Sequence, residues 1–222
     1  MIWPFQKKTP EHKEEHKETP QEAGTEDELE KMNTRLVLSQ IGPHFIFNVL
    51  NTIYYLCEKD TAIAQEAISD FSSYLRTNLD LIKREEPVPF SEELEHIERY
   101  LDLERLRYGE ELNVEYNIHE KDFCLPALSV QAIVENAVRH GIGKKENGGT
   151  LRISSFRGWE NYCVEVYDDG DGFDPDAPME EGRSHIGIQS VRYLLKVMCG
   201  GSLSYISGKG DGTHAMIRIP VK

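Results

Sequence analysis

Basic residues are scarce in this chain: 25 Lys and Arg stand against 39 Asp and Glu, a formal charge of −14 over 222 residues. The long-range field is repulsive toward nucleic acid and anionic membrane surfaces, which argues against both and favours a basic protein or a metal-bound nucleotide as partner. Cysteine is sparse too. Cys57, Cys124, Cys163 and Cys199 lie far apart with no CxxC spacing, so neither a zinc site nor a dithiol redox motif is indicated. They read as reduced, mostly buried thiols of a cytoplasmic protein. Long apolar runs are missing. The longest, Ile41 to Leu56, is interrupted by Pro43, His44, Asn48 and Asn51 and falls short of the ~20 residues of a bilayer span. Met1 to Phe5 is too short for a signal-peptide core, and Lys7 and Lys8 follow it instead of preceding it. The chain reads as wholly soluble, or as the cytosolic part of something longer that is tethered to a membrane through a preceding region.

Apolar side chains are also nearly absent from residues 6 to 28, a Glu, Lys, Thr, Pro and Gln segment that cannot offset the entropy of ordering. Residues 1–28 are therefore expected to be a polar tail or linker. From Leu29 the pattern turns helical, with Leu29, Met32 and Leu36, then Phe45, Val49, Ile53 and Leu56 at three- and four-residue spacings. Pro43 implies a kink or restart before His44. A second amphipathic run covers Ala62 to Ile82, and the polar joint Glu58 to Thr61 predicts an antiparallel hairpin. After Pro87-Val88-Pro89, Ser91 is the expected N-cap of a third helix ending near Gly109. Two helices alone hold too little core, so the stripes Phe45, Val49, Ile53 and Phe71, Tyr74, Leu75 are expected to meet a second copy in a four-helix bundle.

Beyond Gly109 the period changes. Leu112 to Ile118 alternates as a strand, and Pro126 to His140 reads as a helix. Strands follow at Thr150 to Phe156 and Tyr162 to Asp168, then a helix at Ile188 to Met198 and strands at Ser202 to Ile206 and Ala215 to Val221. Gly172 to Ile186 is rich in Asp, Glu, Pro and Gly and reads as a loop. Helices first and mixed β/α second predict an α+β protein: a helical hairpin domain, 29–108, then an α/β domain, 109–222.

Four pieces in order carry the chemistry. In Glu135-Asn136-Ala137-Val138-Arg139-His140-Gly141, a helix places Asn136, Arg139 and His140 on one face by their spacings. The Asn136 oxygen suits Mg²⁺, and Arg139 and His140 can donate to phosphate. In Asp168-Asp169-Gly170-Asp171-Gly172, a carboxylate at a strand end beside glycines can accept from an adenine amino group. Gly187 opens a helix whose free amides can receive phosphate, and Gly210-Asp211-Gly212-Thr213 joins the last strands. Upstream, Gln40 to Asn51 holds His44, an imidazole able to attack a phosphoryl group.

Taken together, from about Leu38 to the C-terminus, the chain resembles the LytS/YehU-type sensor histidine kinases. The resemblance implies a GHKL ATP-binding fold, an α/β sandwich with a flexible lid, behind a helical-hairpin dimerisation domain. It implies His44 as the phosphorylated residue, Asn136 as Mg²⁺ ligand and Asp168 as adenine contact. Gly170, Gly172 and Gly187 then border the nucleotide, and Gly212 and Thr213 lie near the adenine. The sequence departs from the family at Gly42, where Asn is usual, and at His185-Ile186-Gly187-Ile188-Gln189-Ser190, where GIGLxN is usual. Phe45 follows His44 where many histidine kinases carry an acid. Glu135 is a candidate general base, and Asn48, one turn from His44, can only orient the ring.

The expectation is an ATP- and Mg²⁺-dependent protein histidine kinase, a homodimer that phosphorylates itself on His44 and passes the group to an aspartate of a response-regulator receiver domain. The alternative is a dimeric nucleotide-binding scaffold of the same fold without turnover. A third reading, a GHKL ATPase that hydrolyses ATP, has no helix-borne carboxylate placed to align water as clearly as the chain displays His44.

Overall fold

The computed structural model describes residues 43–172, 186–208 and 210–221. The expected tail, the helix start at 29–36, Gly42 and the loop at 173–185 with His185 lie outside the described residues. Pro43 opens helix α1, Pro43–Lys59, where its missing N–H removes nothing from the first turn. Asp60 is the whole joint to α2, Thr61–Ile82, and caps it by accepting from the amides of Ala62 at 3.0 Å and Ile63 at 3.2 Å.

Helix α3, Phe90–Tyr108, begins one residue before Ser91, with Pro89 at the cap position and no side-chain cap bond. Ser91 is thus not the expected N-cap. Pro89 instead belongs to a short strand, β1 (Val88–Pro89), that pairs with β3 (Cys124–Leu125), and this pairing sets where the helix starts. Glu92 and Glu93 in the first turn and Arg105 and Arg107 in the last complement the helix dipole.

The main sheet has the order β2-β4-β5-β7-β6, from β2 (Leu112–Ile118), β4 (Gly149–Arg157), β5 (Asn161–Asp168), β6 (Ser202–Ser207) and β7 (Thr213–Pro220). Only β2 and β4 run parallel; the other pairs are antiparallel. Alternation separates the faces. Leu151, Ile153, Val164, Val166, Ala215, Ile217 and Leu203 are buried under the helices. Glu115 with Arg152 and Glu165 with His214 pair on the opposite, solvent side.

Helix α4, Ser129–Asn136, continues into a wide π turn over Ala137–Gly141. Helix α5, Ile186–Leu194, likewise ends in a π turn at Leu195–Cys199. One continuous core joins α1 to α3 with α4, α5 and the sheet. Val49, Ile53, Phe71 and Tyr74 are buried in that core, so the expectation that they face a second copy does not hold. The α3 residues Leu94, Ile97, Tyr100 and Leu101 supply the cover that a two-helix reading lacked. Nor are the thiols mostly buried: Cys57 and Cys124 are exposed, Cys163 and Cys199 buried. Among the described residues, no helix is long and apolar enough to cross a membrane.

Candidate functional site

His44 lies in the first turn of α1, exposed, with its Nδ1 held 3.0 Å from Asn48 Nδ2 one turn on. Phe45 turns the other way and packs against Tyr74 and Tyr100, with ring centroids 5.3 and 5.0 Å apart. Burying Phe45 forces its neighbour His44 toward solvent, since consecutive helical side chains diverge by about 100°. Asn48 thus contacts one edge of the ring. An amide of fixed position can serve the imidazole in two ways. With Nδ2 on Nδ1 the ring proton sits on Nε2; turned over, Oδ1 accepts Nδ1–H and the Nε2 lone pair points outward.

Glu135 does not accompany His44. Its Oε1 accepts from Gln131 Nε2 at 2.9 Å and Tyr74 Oη at 3.4 Å, so the carboxyl points at α2 and no contact with His44 occurs among the described residues. Burial pushes it up to about 7 against those two bonds. Glu135, a candidate base in the sequence, engages Gln131 and Tyr74 in this geometry and not His44.

Asn136 ends α4 and is partly buried, its Nδ2 donating to the Ala132 carbonyl at 2.8 Å. That bond fixes the amide and leaves Oδ1 as the unengaged atom, which fits a hard-cation ligand. Among the described residues no group of three His, Cys, Asp or Glu could hold a metal, so such an ion would take its other oxygens from phosphate and water. The π turn widens the helix just past Asn136, so the three- and four-residue spacing that aligned Asn136 with Arg139 and His140 does not apply as drawn; both of the latter are exposed.

Asp168, the last residue of β5, is only 3% exposed and stands on the helix-covered face. Its Oδ1 accepts the Gly170 amide at 3.0 Å. Burial pushes the carboxyl up to about 6 against that bond. In the ladder it faces Thr213 of β7, so carboxylate and hydroxyl share one face. Ser207 Oγ donates to the Gly212 carbonyl at 2.9 Å and lies 3.1 Å from Thr213 Oγ1. A side chain at Gly141 would collide with the Asp168 carboxylate, and one at Gly212, at φ +76°, with the Asp168 carbonyl. Gly170 abuts Gly141, and Gly172 abuts Gly208 in the β6–β7 turn. This is a buried acceptor floored by backbone, which fits the amino edge of a flat base. Gly187 is the second residue of α5.

Two features escaped the sequence reading. Gly141 closes the first motif with no role read for it there, yet its missing side chain makes room for Asp168; no local pattern signals a contact across 27 positions. Lys145 also was missed: its Nζ reaches the Asp169 carbonyl at 2.8 Å and Oδ1 at 3.1 Å, fixing the turn after β5.

Comparison with known proteins decides the class. The profile described as Histidine kinase matches residues 32–112. The profile described as Histidine kinase-, DNA gyrase B-, and HSP90-like ATPase matches residues 127–222. The chain belongs to the histidine kinase family. Its C-terminal half carries the GHKL fold of that ATPase group, which implies use of ATP. The Bacillus subtilis (strain 168) protein YwpD is 34% identical over 88% of this chain and 72% of its own length. The Escherichia coli (strain K12) sensor histidine kinase YpdA is 34% identical over 86% of this chain, and the Bacillus subtilis (strain 168) sensor protein LytS 32% over 87%. The histidine kinase chain spans 34% and 35% of those two sensors. Among solved structures, the histidine kinase domain of Erythrobacter litoralis EL346 blue-light activated histidine kinase is similar at TM-score 0.49, with 19% identity over 80% of this chain and 95% of that one. Acinetobacter baumannii histidine kinase AdeS gives TM-score 0.47, with 17% identity over 75% and 83%.

Proposed function

We propose that the chain phosphorylates itself on His44 from ATP and passes the group to an aspartate of a response-regulator receiver domain. The observation that carries the reading is the exposed His44 imidazole with Asn48 on Nδ1. With the Asn48 oxygen accepting Nδ1–H, Nε2 presents its lone pair to a γ-phosphoryl group. As the N–P bond forms, the P–O bond to ADP breaks; the ring becomes cationic and its Nδ1 proton then leaves to solvent. Asp168 and Thr213 hold the base, with Gly170, Gly172 and Gly212 shaping the floor. Asn136 would hold Mg²⁺, which supplies charge neutralisation on the phosphates. Arg139 and His140, exposed beside it, and the amides at Gly187 would receive phosphate oxygens. The hairpin, residues 29–108, and the α/β part, 109–222, are the two functional units.

The protein works as a homodimer in this reading. Phe47, Leu50 and Tyr54 follow one stripe of α1 and are 64, 48 and 72% exposed, with Ile68 and Leu79 exposed on α2. Incubation with γ-labelled ATP and Mg²⁺ tests the reading. Label should be acid-labile and alkali-stable, and His44→Gln should abolish it while ATP binding persists. Acid-stable label, or acid-labile label retained in the variant, would overturn it.

A further inference from the structure

Tyr74 is 1% exposed and lies where α1, α2, α3 and α4 meet. Its ring packs edge-on against Phe45 and stacks flat on His96 with centroids 4.7 Å apart. Its hydroxyl is saturated. It donates to Glu135 Oε1 at 3.4 Å and accepts from Asn78 Nδ2 at 3.2 Å and Gln131 Nε2 at 3.4 Å. Phe45 follows His44, and Glu135 precedes Asn136. One side chain therefore touches the neighbour of the phosphoacceptor and the neighbour of the candidate metal ligand.

A phenylalanine would fill the same space, so packing alone does not account for the hydroxyl. The polar cluster around it is costly. Among the described residues, Asn78 Oδ1, His96 Nδ1 and Gln131 Oε1 are buried without a hydrogen-bond partner. Apolar side chains of equal volume would serve stability better. What buried polar contacts add is a defined geometry, because the donors and acceptors match in only one register. We infer that Tyr74 is a positioning residue which, through Glu135, sets the Asn136 turn of α4 in register with the His44 turn of α1. The inference rests on the reading of His44 and Asn136 given above.

Tyr74→Phe in the full chain tests it. Calorimetric affinity for a nonhydrolysable ATP analogue should stay within about twofold, while self-phosphorylation at saturating Mg·ATP should fall about tenfold or more, the signature of misplaced but bound groups. Glu135→Gln should also slow transfer, and the double variant should lose little more than either single one, because both cut the same tie. A merely structural tyrosine would lower thermal stability without this split. Amide exchange supplies a readout independent of turnover: the analogue should alter exchange at residues 43–48 in the parent and not in Tyr74→Phe. Parent-like transfer in Tyr74→Phe, or an unchanged exchange response, overturns the tie. If the parent itself takes no acid-labile label, the His44 reading fails, and the exchange result still decides the role of Tyr74.

Discussion

Glu93 of α3 closes the amino end of α4: its Oε1 accepts the Val130 amide at 2.6 Å and the Gln131 amide at 3.1 Å. The residue at the cap position, Leu128, has left-handed backbone, φ 63°, and offers no side-chain bond. The helix that carries Asn136 therefore takes its cap from the helical hairpin region, across 37 positions of sequence. Glu93→Ala should cost about 2 to 4 kcal/mol in urea unfolding, from two orphaned amides and a cavity. Glu93→Gln, whose carbonyl can replace Oε1, should cost less; equal losses for the two would mean the cap contributes nothing.

The same carboxyl makes stability depend on pH. Burial pushes Glu93 up to about 8, while its two amide bonds pull the other way. In the folded state it keeps a proton that the unfolded chain releases near pH 4.5. Its contribution is therefore complete below that pH and is lost as pH rises toward 8. Urea titrations at pH 5 and pH 8 should show the parent losing more stability over this interval than Glu93→Gln. Parallel losses would assign the pH dependence to other buried groups.

Asn48 faces His44 Nδ1, so its removal should disturb the ring rather than the nucleotide. Asn48→Ala should slow self-phosphorylation roughly tenfold with the KM for ATP unchanged, because the tautomer and orientation of the imidazole are no longer set. An unchanged rate would remove Asn48 from the chemistry.

How much of this was legible in sequence depends on the range of the interaction. The strand at Leu112–Ile118 and the hairpin joint at Asp60 are local: alternation and an Asx cap announce them. His44, Asp168 and Thr213 stand out in the sequence because each sits in a short motif, though the register that sets Asp168 opposite Thr213 is non-local. The burial of Val49 and Phe71 was misread because their cover, α3 and α4, lies far along the chain and an amphipathic stripe does not say what covers it. The surroundings of Glu135 were hidden for the same reason: adjacency to Asn136 gives no clue that Tyr74, 61 positions away, holds its carboxyl. The π turn after Asn136 has no local signature, so the helical-face argument for Arg139 and His140 assumed a turn that this helix does not make.

Gly141 leaves room for the Asp168 carboxylate, where a methyl group would overlap it. Gly141→Ala should therefore displace Asp168 and weaken ATP binding, while the sheet, which Gly141 does not join, stays folded. If Asp168 holds the base as proposed, Asp168→Asn should cost about 1 to 3 kcal/mol of ATP affinity, since half of the acceptor becomes a donor that would face the adenine amino group. Calorimetry with a nonhydrolysable analogue measures both; full affinity in both variants would move the base site elsewhere.

The last prediction concerns assembly and follows from which stripe of α1 is left open. Val49 and Ile53 are sealed in the chain's own core, whereas Phe47, Leu50 and Tyr54 present a contiguous apolar strip to solvent. A charge at Val49 would be buried without a partner in the single chain, so Val49→Glu should unfold the protein instead of separating subunits. A charge at Tyr54 is solvated in a monomer and desolvated only in a dimer. Tyr54→Glu should leave the thermal unfolding of the monomer nearly unchanged and raise the dimer dissociation constant by about tenfold or more, since burying an unpaired charge at an interface costs several kcal/mol. Light scattering and sedimentation at micromolar concentration read this directly. A dimer that survives Tyr54→Glu and Leu50→Glu together would place the contact on another face, and a parent chain that is monomeric at that concentration would remove the homodimer altogether.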